Sequence, residues 1–253
     1  MSTLRYFIEM AYKGTNYHGW QVQANANSVQ QELNQAISTL MNYPVATTGC
    51  GRTDTSVHAE QFFAHFDTQE KIENGPQFLF KLNGVLPNDI SVFKIFSVPE
   101  EANVRFDATS RTYVYRIARE KDPFNSNTSY YLFGELDITA MHKAALLLKT
   151  YSDFSCFCKA GTPHQTHDCS VTQAQWEETD KQLIFTITAN RFLRGMVRAI
   201  VGTSIELGRG QITLDQFKKI IEGKKREDAG YAVPPDGLYL TNIRYPEHLM
   251  QPI

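Results

Sequence analysis

The segment Gly49-Cys50-Gly51-Arg52-Thr53-Asp54-Thr55-Ser56-Val57-His58 is where residue types and spacing best suit chemistry. The Asp54 carboxylate stands two residues from the Arg52 guanidinium, among glycines and small polar side chains. A nearby cation favours an ionised carboxylate at a partly buried site, able to stabilise or capture an electron-poor centre. The other reading is a turn in which Asp54 bonds its own backbone, a common use of aspartate in a Thr-Asp-Thr-Ser run. A second candidate is the group Cys156, Cys158, His164, His167 and Cys169. Its pattern, C-x-C then H-x-x-H-x-C, fits no common structural zinc spacing, so buried thiols beside a loop are expected and a metal is not. The third feature is charge. Residues 185–226 carry nine basic and three acidic side chains, a local net of +6 on a chain of net charge −2. Arg191, Arg194 and Arg198 fall at i, i+3 and i+7, one face if the segment is helical, suited to solvation or to phosphate contacts.

The flanking patterns say what must position these groups. Arg5–Tyr12 alternates and is rich in aromatics, which predicts a strand followed by the turn Lys13–Asn16. Ser28, three residues before Gln31, opens a helix whose apolar stripe is Val29, Leu33, Ala36, Ile37, Leu40 and Met41. Strands are predicted over Val45–Cys50 and Gln61–Thr68, a helix over Pro76–Val85 and a strand over Ile90–Val98. The order β-α-β-β-α-β is the split βαβ arrangement, with helices on one sheet face and the other face free to receive a partner. Arg52 and Asp54 then sit in a loop between two strands. The second half repeats the content: a strand over Ser110–Arg119, a helix over Asp137–Leu148 and a hairpin over Val171–Glu178 and Leu183–Asn190. Helices over Phe192–Leu207 and Leu214–Ile221 and a strand over Leu238–Tyr245 complete it. Two α/β halves, 1–104 and 105–253, are expected.

Five blocks of residues carry a resemblance. Gly51-Arg52-Thr53-Asp54 with Val57-His58-Ala59 is similar to the signature loop of the tRNA pseudouridine synthase family of the TruA type. Tyr12, Gly14, Thr15, Tyr17, Gly19-Trp20-Gln21 and Gln23 resemble its N-terminal segment. Arg105-Phe106, Ala108, Arg111, Tyr113 and Tyr115 resemble its R-F-x-A-x-x-R-x-Y-x-Y block. Phe192, Arg194, Met196-Val197-Arg198 and Ile200-Val201-Gly202 resemble the block F-x-R-x-M-V-R-x-I-V-G, and Ala232, Pro234, Gly237-Leu238 and Leu240 the closing A-x-P-x-G-L-x-L. The blocks keep the family's order and span the chain from about Tyr6 to Tyr245, which makes the resemblance specific where one block would not be.

The resemblance implies an α+β fold of two ferredoxin-like or RRM-like halves with mainly antiparallel sheets joined around a central active-site cleft. It implies isomerisation of uridine to pseudouridine at tRNA positions 38, 39 and 40, in the anticodon stem-loop, without cofactor. It makes Asp54 the essential catalytic aspartate and Tyr113 a tyrosine that packs on the target base. Arg198 would pair with the aspartate, Leu238 line the base pocket and Arg52 hold the nucleotide out of the stack; His58 joins them as a substrate-binding residue. A homodimer gripping the anticodon arm and body of tRNA is implied as well. Three departures stand out: Lys13 replaces an acidic residue, Gly195 replaces Asn or His, and Thr55-Ser56 replaces Ala-Gly after Asp54. If that glycine needs a positive φ, Ser56 carries a conformational cost.

Composition limits the alternatives. With 42% hydrophobic and 21% charged residues in 253, the chain has globular rather than disordered character. The N-terminus has no apolar signal-like stretch, and the longest apolar run, Ala144–Leu148, is far short of the ~20 residues of a membrane span. Four cysteines, three of them clustered, do not make a disulfide framework. A cytoplasmic protein with reduced thiols and no membrane association is the expectation. A non-catalytic RNA-binding relative has only Thr55-Ser56 in its favour, and a hydrolytic or metal enzyme lacks both a second placed carboxylate and a zinc spacing.

Overall fold

The computed structural model describes residues 3–161 and 165–253. The chain folds as an α+β protein with mostly antiparallel strands and, among the described residues, five α-helices. It divides into two compact units, Met1–Thr109 with Tyr239–Ile253, and Ser110–Leu238.

The first unit begins with β1 (Leu4–Tyr12). The helix α1 (Val29–Met41) starts where the Ser28 hydroxyl accepts the Gln31 N–H at 3.3 Å, and it buries Val29, Leu33, Ala36, Ile37 and Met41 along one stripe. Next come β2 (Thr47–Gly49), β3 (His58–Thr68), α2 (Gly75–Val85) and β4 (Ile90–Val98). Asn74 caps α2 through the Gln77 N–H at 2.9 Å, with Pro76 in the first turn where its missing N–H costs nothing. The strand order is β4-β1-β3-β2 with every neighbour antiparallel, the expected split βαβ sheet.

Two expectations for this unit need correction. The strand predicted over Val45–Cys50 shrinks to the three residues of β2, because side chains of α1 take the hydrogen bonds ahead of it. Ser38 Oγ accepts the Val45 N–H at 2.8 Å and Asn34 Oδ1 accepts the Thr47 N–H at 2.9 Å. The sheet face opposite the helices is also not free. Phe7 and Phe63 on that face are fully buried, and Tyr245 packs edge-on against both, at 5.8 and 5.0 Å between ring centroids. The Tyr245 hydroxyl donates to the Val104 carbonyl at 2.5 Å, and the Val104 N–H donates to His65 Nδ1 at 3.3 Å. An aromatic face of this kind must be covered, and the chain's own segments cover it.

The second unit is similar in content to the first, with an added short strand and an added helix. It consists of β5 (Ser110–Ala118), the two-residue β6 (Tyr130–Tyr131), α3 (Ile138–Leu147), β7 (Val171–Glu178), β8 (Gln182–Ala189), α4 (Met196–Gly208) and α5 (Leu214–Gly223). Its sheet runs β5-β8-β7, antiparallel throughout, with β6 parallel to the end of β5. Asp137 and Thr213 cap α3 and α5, the latter in a full capping box. Here the expected helix over Phe192–Leu207 is corrected. It starts only at Met196, because Gly195 lies at φ +73°, where a right-handed helix cannot pass. Arg191 and Arg194 therefore stand in the irregular segment before α4 and share no helix face with Arg198. The chain then returns to the first unit as β9 (Leu238–Arg244), which runs parallel to the start of β3 with His58 opposite Tyr239, and as β10 (Gln251–Pro252) against β4. No helix among the described residues is long and apolar enough to cross a membrane.

Candidate active site

In the first unit the loop carrying Arg52 and Asp54 joins β2 to β3. The Val57 N–H donates to the Asp54 carbonyl at 3.2 Å, closing a four-residue turn whose third residue, Ser56, sits at φ +62°. That is the position where a type II turn takes glycine. Asp54 is half-buried and Arg52 is exposed.

The segment Tyr12–Trp20 wraps this loop and accounts for its own unusual composition. The Tyr12 and Thr53 hydroxyls bond at 2.8 Å, the Trp20 N–H donates to the Thr53 carbonyl at 3.2 Å, and the Ser56 N–H donates to the Tyr17 carbonyl at 3.3 Å. Gly14 and Gly19 lie so close to the loop that a Cβ on either would collide with its backbone, at the Val57 and Thr53 carbonyls respectively. Gly49 likewise lies against the Trp20 indole, whose ring packs on Phe62 at 4.2 Å. Tyr17 is anchored in turn by Asp89, which accepts its hydroxyl at 2.5 Å. Burial and this carboxylate push the Tyr17 phenol well above its ordinary range, so it stays protonated as a donor.

His58, expected among the substrate-binding residues, is 2% exposed. Its Nδ1 accepts the Gly14 N–H at 3.1 Å and its ring stacks on Tyr239 at 4.6 Å. The structure places it in the interior of the first unit, at the start of β3 directly after the loop.

In the second unit Tyr113 shares a strand face with Tyr115 and Ile117, which are buried, while Tyr113 itself is half-buried at the open end. Phe192 packs edge-on against the Tyr113 ring at 4.9 Å, which fixes its plane. Arg198 projects from α4 and its Nε donates to the Val233 carbonyl at 2.6 Å. Leu238 is buried at the start of β9. The approach to Leu238 is fastened residue by residue. The Tyr115 hydroxyl donates to the Pro234 carbonyl at 2.7 Å, and burial raises that phenol's pKa. The Gly230 N–H donates to Thr203 Oγ1 at 2.9 Å. A Cβ at Gly202 would strike the Tyr231 carbonyl, so the glycine lets residues 229–234 lie directly on α4. Tyr12, Thr53, Tyr115 and Thr203 are positioning residues that the spacing did not mark for these roles; their signal is only that they lie inside or beside the recognised blocks.

The four cysteines are buried, and burial raises the Cys158 thiol and pushes Cys156 up to about 12 and Cys169 to about 11. Among the described residues no three His, Cys, Asp or Glu side chains gather as metal ligands; His164 of the sequence cluster lies outside those residues.

A family model described as tRNA pseudouridine synthase matches residues 144–246. A tRNA pseudouridine synthase A of Parabacteroides distasonis is 48% identical over 97% of this chain and 97% of its own length. One from Bacteroides fragilis is 46% identical over 99% of this chain and all of its own, and one from Acetivibrio thermocellus 37% identical over 97% of this chain. The family model begins after Asp54 and Tyr113, whereas the full-length relatives extend over both.

Proposed function

This chain belongs to the tRNA pseudouridine synthase A family and is an isomerase, and from that premise we propose that it converts uridines 38, 39 and 40 of the tRNA anticodon stem-loop, with Asp54 as the essential carboxylate. The reaction breaks the bond from uracil N1 to C1′ of the ribose and remakes it from C5. The proton lost from C5 is balanced by the one gained at N1, so neither an oxidant nor a hydrolytic water is consumed and no cofactor is called for. The base must leave the stack at a cost of a few kcal/mol and stay enclosed while it turns over. Asp54 captures or stabilises the electron-poor intermediate. Tyr113 stacks on the base and handles protons, Arg198 supports the carboxylate, Leu238 supplies apolar lining, and Arg52 fills the space the nucleotide leaves.

The observation that carries this reading is the immobilisation of the Asp54 turn. It is bonded on both sides of the carboxylate, to Tyr12 and Trp20 at Thr53 and to Tyr17 at Ser56, while Asp54 itself remains half-exposed. A carboxylate held this way loses little freedom when the substrate arrives. Asp54→Asn keeps the shape and removes the charge and nucleophilicity. It should abolish pseudouridine formation on tRNA transcripts and leave tRNA affinity within about threefold, since phosphate contacts dominate affinity. Product formed at an appreciable rate by this variant rules the assignment out. We place the enzyme in the cytoplasm as a homodimer that holds the tRNA body with one subunit and presents the anticodon arm to the other. Light scattering should give twice the 28.8 kDa chain mass, and a monomer mass removes the dimer.

A further inference from the structure

His58 stands at the point where three pieces of the first unit meet. It directly follows Val57, the last residue of the Asp54 turn, and it opens β3. Its Nδ1 accepts the Gly14 N–H at 3.1 Å in the interior. Its ring lies on the face of Tyr239 at 4.6 Å and 25° between planes, and the two residues are also register partners in β3 and β9. Gly14 in turn sits against the Val57 carbonyl, the last group of the turn, with no room for a Cβ. A displacement of the imidazole would therefore move Gly14, and with it the surface on which the Asp54 turn rests.

The bond fixes the chemistry of the ring as well. An amide N–H pointing at Nδ1 requires a lone pair there, so the imidazole is neutral with its proton on Nε2. A side chain without an acceptor at that position leaves the Gly14 N–H buried and unpaired, and the turn would shift to give it a partner.

We infer that His58 is a positioning residue for the isomerisation: its Nδ1 holds Gly14, and through Gly14 and the Tyr239 stack it sets the height of the Asp54 turn. The inference rests on the assignment of Asp54 as the reacting carboxylate. It differs from a substrate-binding role, in which loss of the side chain would weaken tRNA binding.

Two substitutions separate the roles. His58→Phe keeps a flat ring for Tyr239 and loses the acceptor; His58→Asn places an amide oxygen where Nδ1 was and loses the ring. H58F should lower kcat about 10- to 100-fold, the scale of a small misplacement of a catalytic group, with KM for tRNA changed less than about threefold. H58N should recover most of that kcat. Amide hydrogen exchange at Gly14, Ser56 and Val57 should quicken in H58F and stay near wild type in H58N. Wild-type kcat in H58F, a loss seen only in KM, H58N as slow as H58F, or unchanged exchange in H58F would each overturn the inference. Should H58F not melt cooperatively, Tyr239→Leu takes its place, with a kcat loss at constant KM expected and a wild-type kcat overturning it. Activity in D54N in the same assay is a separate failure, that of the aspartate assignment, and the exchange measurement does not depend on it.

Discussion

The hydroxyls of Tyr12 and Thr53 lie 2.8 Å apart in the interior, so the last residue of β1 is bonded to the residue immediately before Asp54. Tyr12 also packs edge-on to Phe62 at 5.4 Å, which keeps its ring in place whether or not the hydroxyl is present. Tyr12→Phe should therefore preserve packing and leave the Thr53 hydroxyl without this partner, at a cost of about 1 kcal/mol. Urea unfolding measures that cost, and single-turnover kinetics should show a slower chemical step at unchanged tRNA affinity. Stability and rate both equal to wild type would mean the bond has no part in holding the turn.

Ser56 at φ +62° occupies a conformation that costs an L-residue about 1–2 kcal/mol. Ser56→Gly removes that cost and adds back part of it, about 0.4–1 kcal/mol, as freedom of the unfolded chain. The net expectation is a stabilisation of about 0.5 kcal/mol, read as a higher urea midpoint with an unchanged slope. A lower midpoint would show that the serine side chain contributes more than the turn loses.

His65 should make stability fall in mild acid. Burial, and secondarily the Arg5 guanidinium, lower its pKa from 6.5 to about 4, against an opposing pull from Asp67. The unfolded chain takes up this proton as pH falls below 6.5 and the folded chain resists until about 4. The stability associated with the neutral ring is thus complete above 6.5 and is lost progressively toward 4. The Asp67 pKa is itself lowered by Arg5 from 3.8, so that carboxylate titrates below this window. His65→Asn keeps a neutral acceptor for the Val104 N–H and should flatten the dependence between pH 6.5 and 4. Equal slopes in the two proteins would assign the acid sensitivity elsewhere.

The basic stretch near residue 225 divides into two cations bonded within the fold and one, Lys225, expected to meet phosphate. Lys224 Nζ pairs with Asp153 at 2.8 Å, and the Arg226 guanidinium donates to the Ala229 and Gly230 carbonyls at 3.1 and 3.0 Å. Lys225 is exposed between them. Lys225→Ala should weaken binding to all tRNAs alike and reduce the slope of log affinity against log salt by about 1. Arg226→Ala should act mainly on stability, by freeing two carbonyls of the segment that leads to Leu238. An unchanged salt slope in Lys225→Ala would place the phosphate contacts elsewhere.

Much of the fold was legible in the sequence because its determinants are local. Period-two alternation in Arg5–Tyr12, the apolar stripe behind Ser28 and the hairpin around Thr179-Asp180-Lys181 each state their own element, and all appear within a residue or so. The loop with Arg52 and Asp54 was visible for the same reason, as a run of turn residues between strands. What the sequence could not state was which groups would compete for a hydrogen bond or need cover. Ser38 and Asn34 shortened β2, Gly195 delayed α4, and Tyr245, about 180 residues beyond Phe63, closed the sheet face that the pattern left open. His58 is the clearest case. The family resemblance groups it with substrate-binding residues, and only the tertiary structure brings Gly14 and Tyr239 to its ring. Propensity and periodicity are properties of a few adjacent residues. Burial and the partner of a side chain depend on residues far away in the chain, so they exist only once the chain has folded.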